Sequence, residues 1–249
     1  KRIPPEIVKE GPVLENVRRD DEVDMLKLPV PIHHEGDGGR YIGTACGVVT
    51  RDPDSGRINV GAYRVQLKGP NTCASYISNG KQGRIQRDKY LKAGKACPVV
   101  IIVGCYPITY LAAGYTMPDA VPEYEWAGGL MGRPLDLIEG EITGLPFPAR
   151  SEIVLEGEIM AQETTLEGPF GEWHGYYAGD AREEPLIRIR RIYHRNDPIL
   201  TCAASQKPPH SHLFERCFLR SAGLLDALEG AGIPDVTGAW LHQAGAGRT

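Results

Sequence analysis

Apolar positions along this chain fall mostly into short, β-branched runs, interrupted every dozen residues or so by glycine or proline, which is the pattern of a sheet protein. Residues 40–50 and 57–68 flank Asp52-Pro53-Asp54-Ser55-Gly56, a turn cluster that predicts two antiparallel strands. Further strands are predicted over 98–104, 151–162, 184–194 and 198–204, and a last one over 236–241. Helical signals are fewer. Short helices are predicted around Leu91, over 108–113, and over 123–130 after Pro122. Between 212 and 229, Leu213, Phe214, Cys217, Phe218, Leu224, Leu225 and Leu228 keep helical spacing, with a gap at Ser221 and a stop at Gly230.

Composition narrows the class. A chain of 249 residues with 41% hydrophobic and 24% charged residues is long enough for a packed core and too apolar for disorder. A net charge of -4 argues against nucleic acid as a partner. No apolar run reaches the length of a membrane span, and Lys1-Arg2-Ile3-Pro4-Pro5 leads into no signal-peptide core, which favours the cytoplasm or an N-terminus that lies further upstream. The chain stops nine residues after Trp240, so the strand at 236–241 has no return and the sequence reads as the central part of a longer polypeptide. Six cysteines, at 46, 73, 97, 105, 202 and 217, show no CxxC spacing and read as buried thiols. His210-Ser211-His212 follows Pro208-Pro209 and reads as a helix start in preference to a metal site.

Glu167-Gly168-Pro169-Phe170-Gly171-Glu172, followed by Trp173-His174-Gly175-Tyr176-Tyr177, carries the strongest chemical signal. Proline lacks an amide donor and the glycines permit backbone angles closed to other residues, so this is a shaped turn that aims two acids. One acid of such a pair can donate a proton while the other orients a cation. A solvated acidic turn is the alternative reading. Asn59-Val60-Gly61-Ala62-Tyr63-Arg64 lies in a predicted strand. Asn59 and Arg64 would face opposite ways in an unbroken strand, unless Gly61 admits a bulge. Arginine suits a carboxylate and asparagine a hard cation, although both residues also fit a strand surface.

The segments Asn59 to Arg64, Glu123 in Pro122-Glu123-Tyr124-Glu125-Trp126-Ala127-Gly128, Ser151 to Gly157, and Glu167 to Glu172 occur in the order and spacing seen in UbiD-like decarboxylases, which use prenylated FMN. This resemblance implies an α+β, mostly β fold: a split β-barrel like that of the flavin reductases, with short flanking helices. It implies three parts, with 1–39 a connecting segment, 40–209 the cofactor-binding barrel, and 210–249 a helix and strand leading toward a C-terminal domain. Arg64, Glu167 and Glu172 match the family's catalytic set, Glu172 as proton donor and Glu167 as the acid that holds Arg64.

Asn59 and Glu123 resemble two ligands of a divalent ion, manganese or magnesium, that bridges to the cofactor phosphate. The third ligand in relatives is histidine, whereas Gly80-Lys81-Gln82-Gly83-Arg84 places Gln82 there. An amide oxygen loses the imidazole preference for transition metals. Carbonyls near Ala113 and Gly114 resemble a potassium site. Ala62 and Lys207 resemble residues that reach the cofactor. The resemblance further implies a small aromatic or unsaturated carboxylic acid as substrate, a flavin prenyltransferase as cofactor supplier, and a homo-oligomer in the full-length protein.

Overall fold

The computed structural model describes the chain apart from residues 1, 116, 118–120, 205, 208–209 and 246–249. These residues form two compact units, one of Lys1–Gly168 with Ala181–Ala203 and one of Pro169–Asp180 with Ala204–Thr249.

Twelve strands belong to the first unit: β1 (Glu6–Ile7), β2 (Asn16–Arg19), β3 (Tyr41–Gly43), β4 (Cys46–Arg51), β5 (Ile58–Gly61), β6 (Val65–Leu67), β7 (Thr72–Ser75), β8 (Cys97–Val103), β9 (Asp136–Glu139), β10 (Pro146–Pro148), β11 (Ile153–Glu167) and β12 (Arg182–His194). Its α-helices are α1 (Gln82–Lys92), α2 (Pro107–Gly114) and α3 (Glu123–Met131). The large sheet runs β3-β6-β7-β12-β11-β8-β4-β5, with β2 also on β12, while β1, β9 and β10 form a small separate sheet.

Connectivity forces the large sheet to curl. Between β5 and β6 the chain has only Ala62, Tyr63 and Arg64, and between β3 and β4 only Thr44 and Ala45. Four Cα steps from Gly61 to Val65 reach at most about 15 Å. A flat sheet would hold β5 and β6 six strand spacings apart, about 29 Å. The sheet is therefore a curled half-barrel, and 62–64 bridges its seam. Alternation along β8 serves two cores: Val99, Ile101 and Val103 pack inside with Val48, Leu155 and Ile189. Val100 and Ile102 face outward to Val49, Val154 and the helical residues Ala112, Tyr124 and Ala127. All five of these β8 side chains are fully buried.

Glu156 on β11 is a buried carboxylate with a structural task. Its Oε1 accepts from the amides of Ile142 (3.0 Å) and Thr143 (2.7 Å) and from the Thr143 hydroxyl (2.7 Å). Its Oε2 accepts from the Tyr193 hydroxyl at 2.6 Å. The acid thereby fixes the turn between β9 and β10.

The hairpin across Asp52–Gly56 is present as β4 and β5, paired Val48↔Gly61 through Arg51↔Ile58. The two long runs predicted there are each broken, because both cross the seam. Residues 198–204 form no strand: the Ile199 amide goes to the Glu152 carboxylate (3.0 Å) and the Ala203 amide to the Thr44 hydroxyl (2.9 Å), which removes them from any ladder. The helix around Leu91 begins earlier, at Gln82. Four cysteines are buried as expected and Cys105 is half-buried, but Cys202 is exposed; all six are free thiols.

In the second unit α4 (Ser211–Gly230) ends where its spacing stops. His210 caps it, its Nδ1 accepting from the Leu213 amide at 3.2 Å, so this ring opens a helix. The side chain of His212 lies outside the described residues. Residues 236–241 are not a strand; the Leu241 amide donates to the Ser221 hydroxyl at 2.8 Å, and Trp240 lies 6.1 Å from Phe214. Among the described residues no helix is long and apolar enough to cross a membrane.

Candidate active site

The seam separates Asn59 from Arg64. Strand β5 stops at Gly61, and a Cβ at Gly61 or Gly83 would overlap the Tyr63 ring, so a larger residue at either position would displace that ring. The Ala62 amide donates to the Ala113 carbonyl at 2.9 Å, tying the link to the end of α2. Asn59 thus stays at one edge of the sheet while Arg64 enters the opposite edge, beside β6.

Arg64 and Glu167, 103 positions apart, meet in a bidentate pair: Nε to Oε1 at 2.7 Å and Nη2 to Oε2 at 2.8 Å. The Glu167 side chain has no exposed surface and that of Arg64 only 12%. Charge-assisted, two-point pairing of this kind fixes both groups in angle as well as distance. Tyr41 donates a further hydrogen bond to Glu167 Oε1 at 3.1 Å. Burial, and then the Glu167 charge, push the Tyr41 phenol far above its ordinary range, so it remains a donor. Lys68 is held below its ordinary range by burial, against the opposing pull of Glu167.

A second guanidinium shares this region. Arg182 pairs with Glu167 across β11 and β12. The Arg182 guanidinium lies 4.3 Å from the Tyr76 ring centre and that of Arg64 lies 5.1 Å from it. Among the described residues the buried Nε of Arg182 has no hydrogen-bond partner. Tyr41, Gln66, Tyr76 and Arg182 were not legible as site residues, since each reads as an ordinary strand or strand-end position until Glu167 is placed among them.

Asn59 and Glu123 come together on the other side of the seam. Glu123 is the first residue of α3 and its carboxyl lies near the Val60 backbone, next to Asn59. Burial holds the Glu123 carboxyl above its ordinary range. Glu123 Oε2 and Asn59 Nδ2 are both buried without partners among the described residues. The Asn59 amide lies near the Tyr63 hydroxyl without hydrogen-bond geometry, and that hydroxyl accepts from the Gly83 amide at 3.3 Å. Gln82, just before Gly83, opens α1 on this side. Among the described residues no three His, Cys, Asp or Glu side chains converge as a metal cage, so an ion here would rely on amide oxygens beside Glu123.

Glu172 and Lys207 belong to the second unit. The Glu172 amide donates to the Tyr176 carbonyl (3.1 Å) and its carbonyl accepts from Gly175 (2.9 Å), closing a tight loop over the Gly171↔Tyr177 bridge. The His174 ring stacks on Tyr176 with centres 3.6 Å apart, and Arg216 lies over Trp173. A Cβ at Gly175 would overlap the Lys207 backbone, which explains glycine at φ +90° there.

The curled half-barrel thus sets a buried arginine–glutamate pair and an amide–carboxylate pair on the two sides of one seam. The UbiD family model, described as "3-octaprenyl-4-hydroxybenzoate carboxy-lyase Rift-related domain", matches residues 6–208, and the chain belongs to that family. It is 38% identical over 233 residues to pyrrole-2-carboxylic acid decarboxylase of Pseudomonas aeruginosa, covering 93% of this chain and 47% of that protein. Phenolic acid decarboxylase of Bacillus subtilis is 37% identical, over 76% of this chain and 40% of its own length. The structure of the UbiD-class enzyme HmfF from Pelotomaculum thermopropionicum in complex with FMN superposes with TM-score 0.90 at 34% identity, covering 100% of this chain and 55% of that one. The chain spans about half the length of the curated relatives it matches.

Whether the residues present fit a metal–flavin group can be judged from the unsatisfied atoms. A buried carboxylate oxygen and a buried amide without partners cost stability unless a ligand completes them. Turning the Asn59 amide over would present its oxygen instead, giving with Glu123 two hard donors for a cation. The residues fit.

Proposed function

We propose that this chain is the cofactor-binding part of a cytoplasmic UbiD-class carboxy-lyase that reversibly decarboxylates an aromatic or α,β-unsaturated carboxylic acid with prenylated FMN. The buried, bidentate Arg64–Glu167 pair carries this reading, because fixing an arginine so completely costs conformational entropy that a scaffold has no reason to spend. Six free thiols fit a reducing compartment.

Asn59, Gln82 and Glu123 would hold manganese or magnesium at the cofactor phosphate. Potassium would lie near the carbonyls of Ala113 and Gly114, and Ala62 and Lys207 would line the cofactor. Prenylated FMN, when bound, supplies an electron sink for the pair released as the carbon–carboxyl bond breaks. Arg64, immobilised by Glu167, orients the reacting carboxylate, and Arg182 offers a second guanidinium to an anionic substrate. Glu172 delivers a proton to the carbon from which CO2 has left and regains one from water, which closes the proton balance. A flavin prenyltransferase would supply the cofactor, and the full-length protein would act as a homo-oligomer.

Co-production with a flavin prenyltransferase, followed by absorption spectroscopy, intact-mass analysis and CO2 release from a panel of aromatic acids, tests the reading. Bound prenylated FMN is expected in this chain, with turnover in the full-length protein and little or none in this part alone. In the same assay Glu172→Gln should retain cofactor while turnover and solvent-deuterium incorporation fall about a hundredfold. Wild-type turnover in that variant would remove Glu172 from the mechanism, and failure of the wild-type protein to retain the cofactor would sink the functional reading.

A further inference from the structure

Two residues outside the catalytic set hold the corner at Glu167 from one cross-strand position. Tyr41 on β3 and Gln66 on β6 are direct register partners, so their side chains share a face. Neither has any exposed surface. The Tyr41 hydroxyl donates to Glu167 Oε1 at 3.1 Å, while Gln66 Oε1 accepts from the next amide along the chain, that of Gly168, at 3.0 Å. Gly168 has φ +95°, a conformation that glycine alone adopts readily, so the backbone turns sharply where β11 ends.

Gln66 bears a cost for this contact. Its Nε2 is buried without a partner among the described residues, and the amide cannot turn over to relieve that without aiming a donor at the Gly168 N–H. The uncompensated donor is the mark of a group kept for what its oxygen does.

We propose that Tyr41 and Gln66 are positioning residues for decarboxylation: Tyr41 holds the Glu167 carboxylate in the plane that Arg64 grips, and Gln66 fixes the backbone immediately after it. The catalytic half of this inference rests on the functional reading above; the positioning half does not. Two conservative variants separate the halves. Tyr41→Phe keeps the ring and loses the hydroxyl, and Gln66→Met keeps the length and loses both the acceptor and the stranded donor.

Hydrogen exchange followed by NMR reads the positioning directly. Exchange of the Arg64 Nε–H should quicken about tenfold in Tyr41→Phe, and that of the Gly168 amide about tenfold in Gln66→Met, as one hydrogen bond is lost. Protection of Val99–Val103 in β8 should not change. Gln66→Met removes the stranded Nε2 donor but leaves the Gly168 N–H without its acceptor, so its melting temperature should stay close to that of the wild type, while in the cofactor-loaded full-length protein kcat falls about tenfold with KM nearly unchanged. Altered exchange in a protein without decarboxylase activity would leave positioning intact and count against the functional reading alone. Wild-type exchange at Arg64 and Gly168, or loss of protection throughout β8 in both variants, would overturn the proposal, in the second case because the pair would be plain core structure.

Discussion

Glu156 and Glu123 are both buried glutamates of the same unit, yet one is finished and the other is not. Four donors saturate Glu156, whose oxygens close the turn between β9 and β10. Among the described residues Glu123 keeps one buried oxygen without a partner, beside an Asn59 amide in the same condition. A carboxylate that builds the fold has its acceptors filled by the chain itself. One kept for a ligand is left with capacity that only the ligand fills, and the protein is less stable until it arrives.

The largest effect separating the two acids should come from Glu156→Ala. It strands the Tyr193 hydroxyl, the Thr143 hydroxyl and two amides, and should cost about 3 kcal/mol or more in denaturant unfolding. The folded fraction should bind cofactor normally. A loss below about 1 kcal/mol would show that the Glu156 contacts do not build the fold as described.

Glu123→Gln should act in the opposite direction. Burial raises the Glu123 carboxyl, so folding favours its protonated form; that contribution is complete below the pKa of the unfolded chain and is lost as pH rises through the raised folded value. A neutral amide does not suffer the loss. The metal-free variant should therefore melt above the wild type at neutral pH, with the difference closing in acid, while the increase in melting temperature given to the wild type by manganese disappears. A metal-free wild type that is the more stable of the two at neutral pH would contradict the comparison.

These contrasts were only partly legible in the sequence. The strand pattern, α4 and the hairpin across Asp52–Gly56 follow from apolar spacing and turn chemistry, which act locally. The seam does not, because the curl is imposed by connections of two and three residues between distant strands, and nothing at Ala62 marks the break. Arg64 and Glu167 stood out by motif, whereas Tyr41 and Gln66 resemble any strand residues until β3 pairs with β6. Residues 198–204 look like a strand but give amides to Glu152 and Thr44 instead.

A smaller effect is expected from Gln82→His. Imidazole favours transition metals over magnesium, so the variant should retain more manganese relative to magnesium after dialysis. Equal retention in both proteins would place Gln82 outside the donor set.

The most direct test of the unfinished site is calorimetric titration of manganese into the protein with and without FMN, and of FMN with and without manganese. If Asn59 and Glu123 form half a socket that the phosphate of the flavin completes, each ligand should tighten the other by the same factor, about tenfold or more, as reciprocal coupling requires. Manganese and FMN that bind independently of one another would contradict the account.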